Sequence, residues 1–312
     1  PAASAGVGVI IVLQLMRLAQ CFGRGGTWGG GILMAYENVP ENKRSFYAAI
    51  PQIGLPIGFG LSSILIAVPT LLLPEDIFFT WGWRIPFLAA IILTLIVIRQ
   101  KGEMMETEDY KKAQAKLEAE EAEGKKHKVG FIPMVKGYWK TLLLGCGTRW
   151  VDGTFYNIFI VWILSYCINW LGMPLIQTYI ITIIACIFKI PFTLFGGWCA
   201  QKLGNTRTFV IGALASAVLS IPTLKVIELS KGNLAITIIG IVLGWSIAYN
   251  LIWAVISSLW SSYFETEVRY SGISFVYHVP SFLVAGMVPT ICTLLINYGK
   301  GDTIYVGIYS TV

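Results

Sequence analysis

Almost the whole chain consists of apolar segments about 20 residues long, the length a helix needs to cross a hydrocarbon core of about 30 Å. A single charged island interrupts them. It runs from Arg99 to Lys128 and holds 16 of the 40 charged residues. Its signs nearly cancel, with Lys101, Lys111, Lys112, Lys116, Lys125, Lys126 and Lys128 set against Glu103, Glu106, Glu108, Asp109, Glu118, Glu120, Glu121 and Glu123. An open chain in lipid must satisfy each backbone N–H and C=O internally, which leaves helices as its spanning form. The island therefore divides an all-α integral membrane protein into two halves. Composition agrees: 55% of residues are hydrophobic and 13% charged, where a soluble domain carries about a quarter charged. The net charge of +6 is spread over short loops rather than one stripe. It marks topology, and no nucleic-acid partner is expected.

Taken in order, the apolar runs are read at 6–36, 50–73, 85–98, 137–171, 174–200, 208–226, 234–260 and 271–297, with 303–312 too short to cross. That gives eight full spans and a partial ninth. Pro1 is not an initiator methionine and no basic stretch precedes the first run, so a segment upstream is expected. Phe78, Phe79, Trp81 and Trp83 form an aromatic belt at one interface. Basic residues fall in alternate loops: Lys43 with Arg44, the island, Lys202 with Arg207, and Arg269. These loops are expected to be cytoplasmic. The island's Glu and Lys at three- and four-residue spacings read as a solvated surface helix. Residues 1–99 are then the remainder of a first half, 100–136 a central loop, and 137–312 the second half.

Charges at membrane depth are the informative residues. Arg17 lies about 11 residues into its span, about 16 Å deep at 1.5 Å per residue, where an arginine costs on the order of 2.5–3.5 kcal/mol on insertion scales. It must face a partner or a watery cavity, either as a tie to neighbouring carbonyls or as part of a transport site. Gln20 and Arg24 share its face. Arg149 and Asp152 are three apart on one helix and close enough to neutralise each other; the alternative is that Asp152 takes up and releases a proton. Lys189, just before Pro191, has no acid at helical spacing, so its partner can be a substrate. Buried cations exceed buried acids, and an anion, such as a carboxylate, would offset the excess. His278 beside Tyr277 titrates near neutrality or is a hydrogen-bonded structural residue.

Other patterns favour packing over chemistry. Gly23 to Gly31 reads GRGGTWGGG, but no strand precedes it as a phosphate-binding loop requires. Inside an apolar span, Gly25, Gly26, Gly29 and Gly30 are small residues that let helices approach. Gly54, Pro56, Gly58 and Gly60 carry the same logic with a kink. The six cysteines lie in apolar spans without the close pairing of a metal or redox site, so no metal and no cofactor are expected. Nor do a nucleophile, base and orienting group recur at a plausible spacing, which argues against an enzyme.

Several motifs in order resemble one family. RLAQCFGRGGTWGG from Arg17 to Gly30, MAYENVPENKRSFYAAIPQIGLPIG from Met34 to Gly58, WGWRIPF from Trp81 to Phe87, Arg149 with Phe155 and Tyr156, and VRYSGIS from Val268 with Tyr277 are similar to the metabolite:proton symporter family of the major facilitator superfamily. The resemblance implies a bundle of two six-helix halves, of which this chain holds helices four to eleven and part of twelve. It also implies alternating access, no enzyme activity, and proton-coupled uptake of a small metabolite by a monomer in a plasma or bacterial inner membrane. Its site candidates are Gln52, Tyr156 and Tyr277 beside the charged residues above, with Arg269 a gating position. Departures are Cys21 for a glycine, Thr27 for an acid, and Gln201, Asn205 and Thr206 in a loop that carries an acid and arginines in the family. A non-transporting, transporter-like binding protein or a decayed remnant is the competing class.

Overall fold

The structure, a computed structural model, describes residues 8, 11–16, 18–20, 27–101, 115 and 131–311. Arg17, Arg24, Gly25, Gly26, Cys21 and almost all of the charged island lie outside the described residues. Those described form helices and connecting turns with no strand. In chain order they are α1 (Thr27–Glu37), α2 (Glu41–Leu72), α3 (Glu75–Thr80), α4 (Gly82–Arg99), α5 (Pro133–Asn169), α6 (Leu175–Leu203), α7 (Asn205–Leu229), α8 (Leu234–Ser261), α9 (Thr266–Tyr298) and α10 (Ile304–Thr311). Seven of them are long and apolar enough to cross a membrane.

The second crossing differs from the sequence expectation. It begins at Glu41 rather than near residue 50, running through a short helix, Arg44–Ala49, and a 3-10 turn, Pro51–Ile53, before the helix Gly54–Leu72. Lys43 and Arg44 look like loop residues in the sequence, yet Ala48 and Ala49 just beyond them are completely buried. The missing N–H of Pro51 accounts for the local tightening better than Pro56 does. Of the four aromatics around α3, Phe79, Trp81 and Trp83 are exposed and Phe78 is half-buried.

α5 and α8 are the most enclosed crossings, and the core is built around them from residues of α5 to α10. α2 packs along α6, α1 and α2 reach α8 and α9, and α4 packs on α2. Both inner helices contain a π-helical stretch, Asn157–Trp162 in α5 and Val242–Ala248 in α8. The two stretches meet, with Phe159 filling the space where Gly244 has no side chain. π-turns inside helices often mark functional sites, and these two flank the polar centre described below.

Two glycines of α5 set its distance from α9. A Cβ at Gly145 would sit 2.6 Å from Val276, and one at Gly153 would sit 2.6 Å from Val284. The spacing of eight residues on both helices puts the contacts two turns apart, and Arg149 lies midway between them. Small residues at such crossings let backbones approach. Gly153→Val is therefore expected to force the helices apart and to cost about 1–3 kcal/mol of overpacking. The check is thermal unfolding in detergent: the single variant should melt below the wild type, and Val284→Ala in the same chain should recover part of the loss.

Candidate functional site

The polar centre is assembled from five helices. On α5, Arg149 and Asp152 sit one turn apart, and Arg149 Nη1 donates directly to Asp152 Oδ2. Asp152 has no exposed surface and Arg149 keeps 9%, so Arg149 is the only member of the pair with exposed surface. The other carboxylate oxygen, Oδ1, accepts from the Tyr249 hydroxyl of α8 at 2.6 Å. Arg149 Nε donates to Ser281 Oγ of α9 at 2.9 Å, and the guanidinium lies over the Tyr277 ring at 4.3 Å. Tyr277 in turn stacks on Trp28 of α1 with centroids 4.2 Å apart, and Trp28 meets Trp260 edge-on. Trp260 is fixed by its indole N–H to Thr148 Oγ1 at 2.9 Å. A buried pair of charges keeps its place only when its remaining donors and acceptors are met, and here Ser281 meets the Arg149 Nε and Tyr249 the second Asp152 oxygen.

Lys189, on α6, approaches the same centre from the other side of Tyr249. It is fully buried. Its ammonium donates to the Trp245 carbonyl at 3.4 Å and lies 4.5 Å from the Trp245 ring centroid and 4.4 Å from that of Tyr249. Among the described residues no carboxylate is in ion-pair contact with it. Asn250 ties the walls together, donating to the Lys189 carbonyl at 2.8 Å and to Thr193 Oγ1 at 3.1 Å. The centre thus holds the side chains of two cations and one acid. In such a low-dielectric interior an unmatched charge is expensive.

The remaining sequence candidates separate. Tyr156 is half-buried one turn beyond Asp152, and its ring contacts Phe59 of α2. Gln52 is buried and pairs reciprocally with Trp253: its side-chain amide donates to the Trp253 carbonyl at 3.4 Å, and the Trp253 indole donates to the Gln52 carbonyl at 3.1 Å. That makes it a tie between α2 and α8. His278 is exposed, its ring edge-on to Tyr277 at 5.0 Å. Gln20 is exposed as well. Of the glycines, Gly29 packs against α9, with Ser274 Oγ 3.4 Å from where a Cβ would be, and Gly60 against Cys186 of α6. Gly30, Gly54 and Gly58 have open space at that position, so the close contact expected at them is not made by the described residues. Pro56 is buried. The five described cysteines are free, and no group of three metal-binding side chains occurs among the described residues.

A second polar layer joins α1 and α2 to the later helices at the end that carries the basic loops. Arg269 of α9 pairs with Glu37 of α1 at 2.7 Å, with side chains 13% and 5% exposed, and also donates to the Phe264 carbonyl. Gln201, where an acid was expected, does the joining with its amide: it donates to the Asn42 carbonyl and accepts from the Phe46 N–H at 3.3 Å. Ser257 of α8 donates to the Ala48 carbonyl at 2.9 Å. Glu37 and Tyr249 were missed in the sequence, because their partners Arg269 and Asp152 lie 232 and 97 residues away. At the opposite end Lys225 joins Glu228 and Asp302, at 2.9 and 2.6 Å. Its hydrogen bond, with that of the Ile304 N–H, holds the Asp302 carboxyl below its usual range.

A family model described as Major Facilitator Superfamily matches residues 2–289. Three curated relatives come from Escherichia coli (strain K12). The chain is 29% identical, over 98% of its length, to the inner membrane metabolite transport protein YhjE, 28% over 96% to a shikimate transporter, and 27% over 94% to a proline/betaine transporter. It covers 68%, 67% and 58% of those proteins, respectively.

Proposed function

The chain belongs to the major facilitator superfamily, a family of membrane transporters and not of enzymes, and from that membership we propose that it carries a small organic anion together with a proton. The observation that carries the reading is the Arg149–Asp152 pair: a completely buried carboxylate whose cationic partner is the more accessible of the two. A substrate carboxylate has the same geometry as the Asp152 side chain and can take over the guanidinium, which favours two-oxygen acceptors. Asp152 would then be a buried acid held only by Tyr249 Oη. An unpaired carboxylate in that position is far less costly once protonated. One anion bound to Arg149 and one proton on Asp152 Oδ2 enter together, and a monoanion moves without net charge.

Alternating access supplies the movement. In this reading Glu37–Arg269, Gln201 and Ser257, all of which join α1 and α2 to the later helices, hold the basic end shut. Gln201 makes its two bonds without a charge, so the departures in that loop do not by themselves favour a non-transporting protein. In the same reading, residues 1–99 and 137–312 belong to opposing halves joined by the loop 100–136, the basic loops are cytoplasmic, and the protein works as a monomer.

Cells or proteoliposomes holding the protein are expected to take up a radiolabelled hydroxylated carboxylate saturably. Dissipating the proton gradient should collapse accumulation while leaving exchange of labelled for unlabelled substrate intact. Accumulation that is indifferent to the gradient would remove the proton from the mechanism, and binding without exchange would make the protein a receptor.

A further inference from the structure

The two ring faces over Lys189 form a cation box that the protein has filled with its own side chain. Trp245 and Tyr249 lie one helical turn apart on α8, and both present their faces to the ammonium at about the same distance, 4.5 and 4.4 Å. Aromatic faces at such range attract cations, and paired ones are a common way to recognise quaternary ammonium groups. The box is closed: Lys189, Trp245 and Tyr249 have no exposed surface. The Trp245 indole Nε1 is buried there without a hydrogen-bond partner. Tyr249 connects the box to the transport centre, since its hydroxyl holds Asp152 while its ring covers the lysine.

We propose that Lys189 is the residue that sets substrate class, by occupying as a tethered cation the box in which a substrate's quaternary ammonium group would otherwise sit. The inference rests on the reading of Arg149 as the anion contact. With Lys189 in place, the box is filled and has no room for a second cation, and the buried ammonium adds its field to that of the guanidinium, the one of the two with exposed surface. A hydroxylated carboxylate is accepted, whereas a betaine, whose trimethylammonium group needs aromatic faces, is refused. With the side chain shortened, Arg149 still takes a carboxylate and the vacated box takes the ammonium. The same scaffold would then serve zwitterions, which is the chemistry named for the proline/betaine transporter among its relatives.

The test uses the purified full chain in detergent and measures affinity for shikimate, glycine betaine and tetramethylammonium by calorimetry. The wild type is expected to bind shikimate and neither ammonium compound at millimolar concentration. Lys189→Ala should lose at least tenfold in shikimate affinity and gain at least tenfold for tetramethylammonium and glycine betaine. Lys189→Met, which fills the box without charge and keeps the core packed if the alanine variant does not fold, should lose shikimate affinity tenfold and gain nothing. Wild-type protein that binds tetramethylammonium as well as Lys189→Ala does, or a Lys189→Met protein with an unchanged shikimate affinity, overturns the proposal. If the wild type binds no carboxylate but Lys189→Ala gains tetramethylammonium, the box stands and the anion-transport reading fails. If wild-type shikimate uptake is intact and the folded alanine variant gains no ammonium binding, the box is refuted and the transport reading survives.

Discussion

Asp152→Asn is expected to abolish concentrative uptake while leaving exchange in place. With one proton per monoanion, a pH difference of two units across the membrane sustains about a hundredfold accumulation, because each unit is worth about 1.4 kcal/mol. Asparagine keeps the shape of the side chain and can keep its contact with the Tyr249 hydroxyl, but it cannot take up the proton. Accumulation should therefore fall about a hundredfold, to simple equilibration across the membrane. Arg149, freed from competition, should bind the substrate anion more tightly, so half-saturation for exchange should drop. The two readouts matter together. Loss of accumulation with tighter exchange is a coupling defect; loss of both is damage to the fold, since breaking a buried pair costs about 3–5 kcal/mol. An asparagine variant that still accumulates substrate against a gradient would dismiss Asp152 as the proton site.

The second large effect is expected at Glu37. Its carboxylate is almost enclosed and faces Arg269 at 2.7 Å across the joint between α1 and α9. Glu37→Gln removes the negative charge that faces Arg269 and leaves it, among the described residues, a neutral amide oxygen, the Phe264 carbonyl and the neighbouring Tyr36 ring. Removal of one member of such a pair costs about 3–5 kcal/mol where the pair forms. The open arrangement has no pair to lose, so the cost falls on the closed one. Even a 2 kcal/mol shift changes the ratio of the two states about thirtyfold. Spin labels at positions 45 and 206 should report a new, longer distance in Glu37→Gln, and the reciprocal exchange Glu37→Arg with Arg269→Glu should restore the shorter one. If the distance does not change while the melting temperature drops, the pair stabilises the fold and gates nothing.

Legibility in the sequence followed distance along the chain. Arg149 and Asp152 are neighbours on one helical face, and a buried i,i+3 pair can be read from spacing alone. Lys189 could be recognised as a lysine at membrane depth, but its cover comes from Trp245, 56 residues later. Glu37 and Arg269 are 232 residues apart, and each alone resembles an ordinary loop charge. The early start of α2 was hidden because Lys43 and Arg44 break the apolar pattern just where the backbone becomes helical. Gln201 was legible only as a missing acid; an amide offers a donor and an acceptor at once, and the structure uses both. The helices themselves were legible almost throughout, because lipid leaves a spanning chain so few alternatives.

The paired π-turns make residue count as important as residue identity. Each places one more residue in a turn than an α-helix would, seen in the bond from the Tyr249 N–H to the Gly244 carbonyl five residues back. A helix advances about 100° per residue. Deleting one residue between Val242 and Ala248 would thus only let the wide turn close to an α-helical one, whereas the same deletion between Leu234 and Ile241 would swing everything after it by about that angle, carrying Tyr249 away from Asp152 without altering a single functional side chain. In this molecule a one-codon gap inside an apolar stretch, which looks harmless in hydropathy, is a change of aim.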